Sequence, residues 1–319
     1  MMKKTLLILF LTFLFAYCSH KTQESKDNVT TADYLVQDSS ITKMLTANHL
    51  KLTGVKGDFE SFKKYLNKLD DDSLTSIPFA LDYINTCIPQ DNAYRDSIYL
   101  LFISKFDSVE SRLNDSLDTK YTILMGQLQN DSNTVEVNSF KNNLTTCGIG
   151  IYSTEGDYYL DVTPDYFYDN FKNRVSEGVK EYLDIRRDEL NKGFSEDAGM
   201  LISFEDLYGR VKRWEKFNNQ YPNTVYNKEA RSFYEIYLET LMTGMDNSRV
   251  FDLDSNSLLP EIRTLYEKIK NEEPESQTTK IISSYYDFLA QHNFKDDSID
   301  VFLKANNLST MLAVQPHTR

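Results

Sequence analysis

This sequence predicts a mostly α-helical fold, built as helical hairpins in a bundle or as divergent α-α repeats, with one small β-hairpin. Three observations carry that expectation. Apolar residues recur at helical spacing through most of the chain, whose 319 residues include only 11 glycines and 7 prolines to interrupt them. Once only, between residues 148 and 163, the apolar period drops from 3.6 to 2. Near the C-terminal end, a hairpin-like segment recurs at an offset of 52 residues.

The elements follow in order. Residues 18–46 are rich in Ser, Thr, Asp and Lys and read as a flexible tether. The N-terminal helical region, 47–147, opens with Asp58 as a cap before Phe59, Phe62, Leu66 and Leu69 on one stripe. Ser76 is placed to cap a second helix, because Pro78 is tolerated only in a first turn, and Leu81, Ile84 and Ile88 extend its apolar face. From Tyr94 to Leu128 the helical spacing persists, giving one long helix or two broken near Asn114. Residues 148–163 form the β-hairpin, turning at Thr154 to Asp157 and ending at Pro164. A lone hairpin is marginal in water, so it is expected to pack on helices and mark a boundary between halves.

Residues 164–319 return to helix. Phe167, Phe171, Val175, Val179 and Tyr182 make one face, closed by Lys192 and Gly193. Ser203 and Asp206 have capping-box spacing ahead of Leu207, Val211, Trp214 and Phe217. Tyr221 and Pro222 break the chain, Thr224 recaps it, and Ala230, Phe233, Tyr237 and Leu241 continue to Gly244. Fifty-two residues on, Tyr266, Glu267, Lys268 and Ile269 stand where Trp214, Glu215, Lys216 and Phe217 stood; Pro274 answers Pro222, and Lys280, Ser284 and Tyr286 answer Lys228, Ser232 and Tyr234. The register needs no gap, which predicts two related hairpins. Trp214, Phe217, Tyr221, Pro222, Asn223, Thr224, Tyr226 and Ala230 resemble the break and second-helix start of tetratricopeptide-type repeats in bacterial envelope lipoproteins, although 52 residues exceeds that family's usual repeat.

The N-terminus supplies an address. Lys3 and Lys4 precede an apolar run from Thr5 to Ala16, too short for a permanent membrane span, and residues 1–17 read as a signal peptide. Leu14, Phe15, Ala16, Tyr17 and Cys18 resemble a bacterial lipobox, with Tyr17 where a small residue is usual. The resemblance implies cleavage before Cys18, acylation of that cysteine, and residence in the bacterial cell envelope as a lipoprotein; Ser19 is compatible with the outer membrane. Loss of Lys3 and Lys4 with no acid takes the formal charge from −13 to −15. Such a surface repels phosphate backbones, so no nucleic acid is expected as a partner; acyl chains would hold the chain to the membrane. In an oxidising compartment Cys87 and Cys147 are expected to pair as a disulfide, the alternative being two buried thiols.

No catalytic signature stands out. With His20, His49, His292 and His317 scattered, there is no His-Glu-x-x-His, nor a Gly-x-Ser-x-Gly elbow or a phosphate-cradling glycine loop, so no cofactor and no metal are expected. Asp252, Asp254 and Asn256 imitate the start of an EF-hand loop, but Ser257 and Arg263 occupy the places that need Gly and Glu. Carboxylates such as Glu205 with Asp206, or Asp70 to Asp72, read as helix-end or solvated charges. Asp-Ser before an aliphatic residue, at Ser73, Ser97, Ser108, Ser116 and Ser298, resembles the O-glycosylation acceptor of exported Bacteroidota proteins, yet also suits helix capping. The 21 tyrosines and 19 phenylalanines beside one Trp mark either packing or a ring platform, with Tyr158, Tyr159, Tyr166 and Tyr168 the candidate ligand contacts. The expected function is a protein-binding or scaffolding module with an envelope protein partner. A glycan or small-ligand binder and a carboxylate-dependent hydrolase are the alternatives.

Overall fold

The structure, a computed structural model, describes residues 38–130, 134–154, 157–295 and 299–306. The signal run, Cys18 and the start of the tether lie outside them. Among the described residues the fold is helical, with three two-stranded antiparallel sheets.

α1 (Asp38–Leu52) begins inside the segment that composition assigns to the tether. Its apolar residues are sparse, but Ile41 and Leu52 are buried. Residues 38–46, expected in the tether, are thus helical. α2 (Phe59–Leu66) starts with a reciprocal box in which Asp58 accepts from the Ser61 amide and Ser61 from the Asp58 amide. α3 (Ser76–Cys87) is capped at Thr75 without a side-chain bond, and Ser76 instead donates to the Asp70 carbonyl at 2.6 Å. α4 (Arg95–Ser116) and α5 (Thr122–Gln129) divide the long helical stretch just after Asn114. α6 (Val135–Thr146), capped by Thr134, had no clear apolar signature.

β1 (Ile149–Thr154) and β2 (Asp157–Val162) pair from Ile149–Val162 to Thr154–Asp157. The amide of Asn114 docks this hairpin on α4: its Nδ2 donates to the Leu160 carbonyl at 2.9 Å and its Oδ1 accepts from the Leu160 amide at 2.8 Å. One side chain thus satisfies an edge-strand residue as a neighbouring strand would. The hairpin lies within one compact unit with the helices on either side of it, where a boundary had been expected.

α7 (Tyr166–Phe171) and α8 (Glu177–Lys192) follow, α8 capped by Ser176 and ended by Gly193 at φ 68°. Next come β3 (Ser195–Glu196), β4 (Gly199–Met200), α9 (Phe204–Gln220) and α10 (Asn227–Thr243). β5 (Gly244–Met245), β6 (Ser248–Arg249), α11 (Pro260–Lys270), α12 (Gln277–Gln291) and α13 (Ile299–Ala305) complete the order. The 52-residue register survives in the packing. Trp214 and Tyr266, Phe217 and Ile269, Ala230 and Ile282, Phe233 and Tyr285, and Tyr237 and Leu289 are buried pair by pair. Glu215 ties the hairpins together, accepting from Ser276, the Gln277 amide and Thr278 at the α12 N-terminus.

The repeat also reaches further back than its sequence match. Gly193 closes α8 and Gly244 closes α10 with the same left-handed φ, 51 positions apart, and each leads into a minimal β-hairpin. These connectors bond to one another: the Asn247 amide donates to the Ala198 carbonyl at 2.9 Å, and the Met200 amide to Ser248 Oγ at 2.8 Å.

Most of the aromatic excess is core. A continuous run of rings leads from Phe106 through Phe102 and Phe171 to Tyr99, on to Tyr226, then Tyr182, Trp214, Phe233 and Tyr237. Tyr226 and Tyr182 stack at 3.8 Å and 4°. This run joins α4 to α10 through α7, α8 and α9, and it gives the two halves a shared interior.

Candidate functional site

A groove of about 430 Å³ opens beside α1 and α3, lined by Leu45, Thr46, His49, Pro78, Leu81, Asp82 and Asn85. The groove is shallow and largely open to solvent, with Leu45, Pro78 and Leu81 set between its polar groups. At one end Asp82 organises three side chains: Asn48 Nδ2 donates to Oδ2 at 2.8 Å, His49 Nδ1 lies 2.9 Å from Oδ1, and Thr86 Oγ1 donates to Oδ1 at 3.1 Å. Tyr65 in turn donates to Asn48 Oδ1 at 2.9 Å and stacks on Tyr83. Spacing explains the convergence, since Asn48 and His49 are adjacent on α1 while Asp82 and Thr86 stand one turn apart on α3.

A carboxylate facing Nδ1 accepts its N–H and holds the ring, so that Nε2 is the nitrogen left to a ligand. His49 is 58% exposed, whereas Asp82 is 17%. The ring is thus both oriented and accessible. Nucleophilic chemistry lacks its other half, because Thr46 Oγ1 is engaged by the Thr42 carbonyl and Thr86 Oγ1 by Asp82. The arrangement suits binding through a hydrogen bond to Nε2.

The residues singled out from sequence do not converge. Tyr166 packs among Phe102, Phe106 and Phe167, where burial pushes its phenol pKa far upward. Tyr168 lies under the guanidinium of Arg187, 4.1 Å from the ring centre, with Lys172 at 5.2 Å. Tyr159 is exposed and stacks on Tyr152, its cross-strand partner, while Tyr158 falls on the opposite face of β2. Of the four tyrosines singled out, Tyr159 alone is exposed, stacked on Tyr152.

The expected disulfide is not formed. Cys87 and Cys147 are free and buried, with Cys87 Sγ directed to the Leu52 carbonyl at 3.8 Å and Cys147 Sγ to the Leu74 carbonyl at 3.4 Å. One ends α3 and the other caps α6, each thiol taking a separate carbonyl; burial raises the Cys147 pKa to about 12. In the 252–256 loop, Asp252 Oδ1 accepts from the Ser255 amide at 2.8 Å and from Ser255 Oγ at 2.7 Å. Its carboxylate closes a turn. Ser203 caps α9 through the Asp206 amide at 3.0 Å, and Asp71 pairs with Lys105.

Sequence spacing gave no hint of the polar core between α8, α9 and α10. Glu189 accepts from Arg186 at 3.1 Å, Trp214 Nε1 at 2.7 Å and Tyr237 at 3.1 Å, and Arg210 donates to the Gly193 carbonyl at 2.6 Å. The only signal was a charged residue inside an apolar stripe. Burial nonetheless raises the Glu189 pKa. The network is enclosed by rings and serves packing.

Comparison of the chain with family models, with curated proteins and with solved structures finds no match.

Proposed function

We propose that this chain is a lipid-anchored protein of the bacterial envelope that acts as a helical binding and scaffolding module for another envelope protein. The observation that carries the reading is the paired stack of α9 with α10 and α11 with α12, tied by Glu215 and by bonded connectors. Stacked hairpins of this kind leave an extended surface, which helical-repeat proteins use for partners. The lipobox-like run ending at Cys18 supports the anchor, and the tether from Ser19 gives the body reach from the bilayer.

The test is proximity crosslinking in living cells, followed by paired charge reversal at the equivalent exposed positions Lys228 and Lys280. Capture of one envelope protein that weakens in Lys228→Glu with Lys280→Glu, at unchanged melting temperature, is the expected result. Turnover of a glycan or peptide by the purified protein would refute the scaffold reading. Cys18→Ser should accumulate unprocessed precursor; partition of the wild-type protein into the aqueous phase of a detergent separation would refute the anchor.

A second reading rests on the groove beside α1 and α3. Its volume and the oriented Nε2 of His49 favour a small ligand there over one at the tyrosine cluster.

A further inference from the structure

The acidity of this chain is not spread evenly. It carries 48 acidic and 35 basic side chains, about one acid in every seven residues, yet from Ser39 to Gly57 there are three lysines and no acid. That stretch is α1 and the turn after it. Val137 to Thr154, which takes in β1 and all of α6 but its first two residues, likewise carries Lys141 and no acid, and α6 packs against α1. Lys43, Lys51, Lys56 and Lys141 are all exposed. The outward side of α1 is therefore positive on a molecule that is negative as a whole.

α1 is also apolar on two sides. Ile41 and Leu52 face the core, while Lys43, Ala47 and Leu50 follow at i, i+4 and i+7 along the opposite side, with Met44 and Lys51 in the row beside them. Leu50 is 70% exposed, and Met44 and Val55 are exposed as well. The groove beside α3 uses Leu45, Thr46 and His49, so this outer row lies outside it. One exposed leucine would need no explanation. Here three large apolar side chains alternate with three lysines between Lys43 and Lys56, and together they form a basic and apolar strip.

We propose that this outer face of α1 docks on an anionic lipid surface, with Met44, Leu50 and Val55 entering the headgroup boundary and the lysines meeting the lipid phosphates. Charge and position select that occupant. Apolar side chains flanked by lysines, whose stems lie along the apolar surface while their ammonium groups stay in the polar layer, are what a helix lying in a membrane interface presents. The argument from position rests on the proposed acylation of Cys18. Residues 19–37 are all that separates that lipid from α1, and at 3.3–3.6 Å per residue at most they keep α1 within about 70 Å of the bilayer. Docking is then an intramolecular step, for which a weak patch suffices. A lipid chain joined to a basic patch supplies the two signals that stable anchoring takes.

Fluorescence quenching by brominated lipid tests the face residue by residue. Trp214 is the one tryptophan of the chain and is fully buried, so a second one placed at the surface reports on contact with lipid. Leu50→Trp and, as a control in the loop of Asp252 and Asp254, Leu253→Trp are made in the full acylated protein and reconstituted with brominated phosphatidylcholine vesicles, with or without phosphatidylglycerol. Leu50→Trp is expected to be quenched in the anionic vesicles and much less in the neutral ones, and Leu253→Trp in neither. Adding Lys43→Glu and Lys51→Glu should weaken docking about 25-fold or more at an unchanged Tm, since each lysine near an anionic surface is worth about fivefold. Salt at about 0.5 M should weaken it too. Equal quenching at both positions, no quenching at position 50 while the protein floats with the vesicles, or quenching that survives the charge reversal overturns the docking face. Failure to float with neutral vesicles refutes the anchor instead, and quenching at position 50 by anionic vesicles still decides the face.

Discussion

Glu239 offers a direct test of how this core handles charge. It lies on α10, is 6% exposed, and its Oε1 has no hydrogen-bond partner. Burial raises its pKa from an ordinary 4.5 to about 7. Below the ordinary value the group is protonated whether the chain is folded or unfolded, and it costs nothing. As pH rises from there toward 7, the unfolded chain releases the proton while the folded chain keeps it, so stability falls; above about 7 the loss is complete. At about 1.4 kcal/mol per pH unit of separation, and allowing for some solvent access, the charged carboxylate costs about 2 to 3 kcal/mol. Glu239→Gln removes that cost without changing the shape. The position 52 residues on is already Gln291. Urea unfolding of both proteins should show nearly equal stability at acid pH and a gain for the variant above neutrality. A gain of the same size at both ends, or none at the alkaline end, would refute this account of buried charge.

Replacement of Trp214 by Ala should cost about 3 to 5 kcal/mol, since the ring is fully buried and Glu189 would lose a donor; Tyr266→Ala should cost as much, measured by the same unfolding curves. Asn114→Ala should cost about 1 to 3 kcal/mol and expose the Leu160 amide to hydrogen exchange, and unchanged protection there would show that the β-hairpin is held by other contacts. In a Cys18→Ser chain, alkylation under denaturing conditions without reductant should add two groups, at Cys87 and Cys147, as read by intact mass. No addition would restore the disulfide.

Helical periodicity made most elements legible: the Asp58 cap, the stop near Asn114, the period-2 hairpin and the Pro222 break all reappear in the fold. Elements whose stability comes from distant partners were not. α1 has too few apolar residues to show a stripe and is held by Ile41, Leu52 and the Asp82 contacts of Asn48 and His49. Its residues 38–46 read in the sequence as polar tether. The groove was hidden for the same reason, because nothing local announces that residues 48 and 49 will meet residue 82. Ser76, chosen as a cap by residue type, instead reaches the Asp70 carbonyl, a bond set by the loop before it.

The repeat shows what limits such reading. Identity at 52 residues picked out α9 to α12 because their buried rings and the break between helices must keep their chemistry. The earlier member of the series, α8 with its connector, shares only a left-handed glycine and a two-residue strand with α10, features of backbone conformation that many sequences satisfy. Yet the connectors are where neighbouring repeats touch, through Asn247 and Ser248. If that contact sets the stacking, Asn247→Ala should loosen the connector pair, raising exchange at the Met200 amide while the buried rings of α9 and α10 keep their protection; simultaneous loss of both would mean that the connectors and the hairpin cores unfold as one unit.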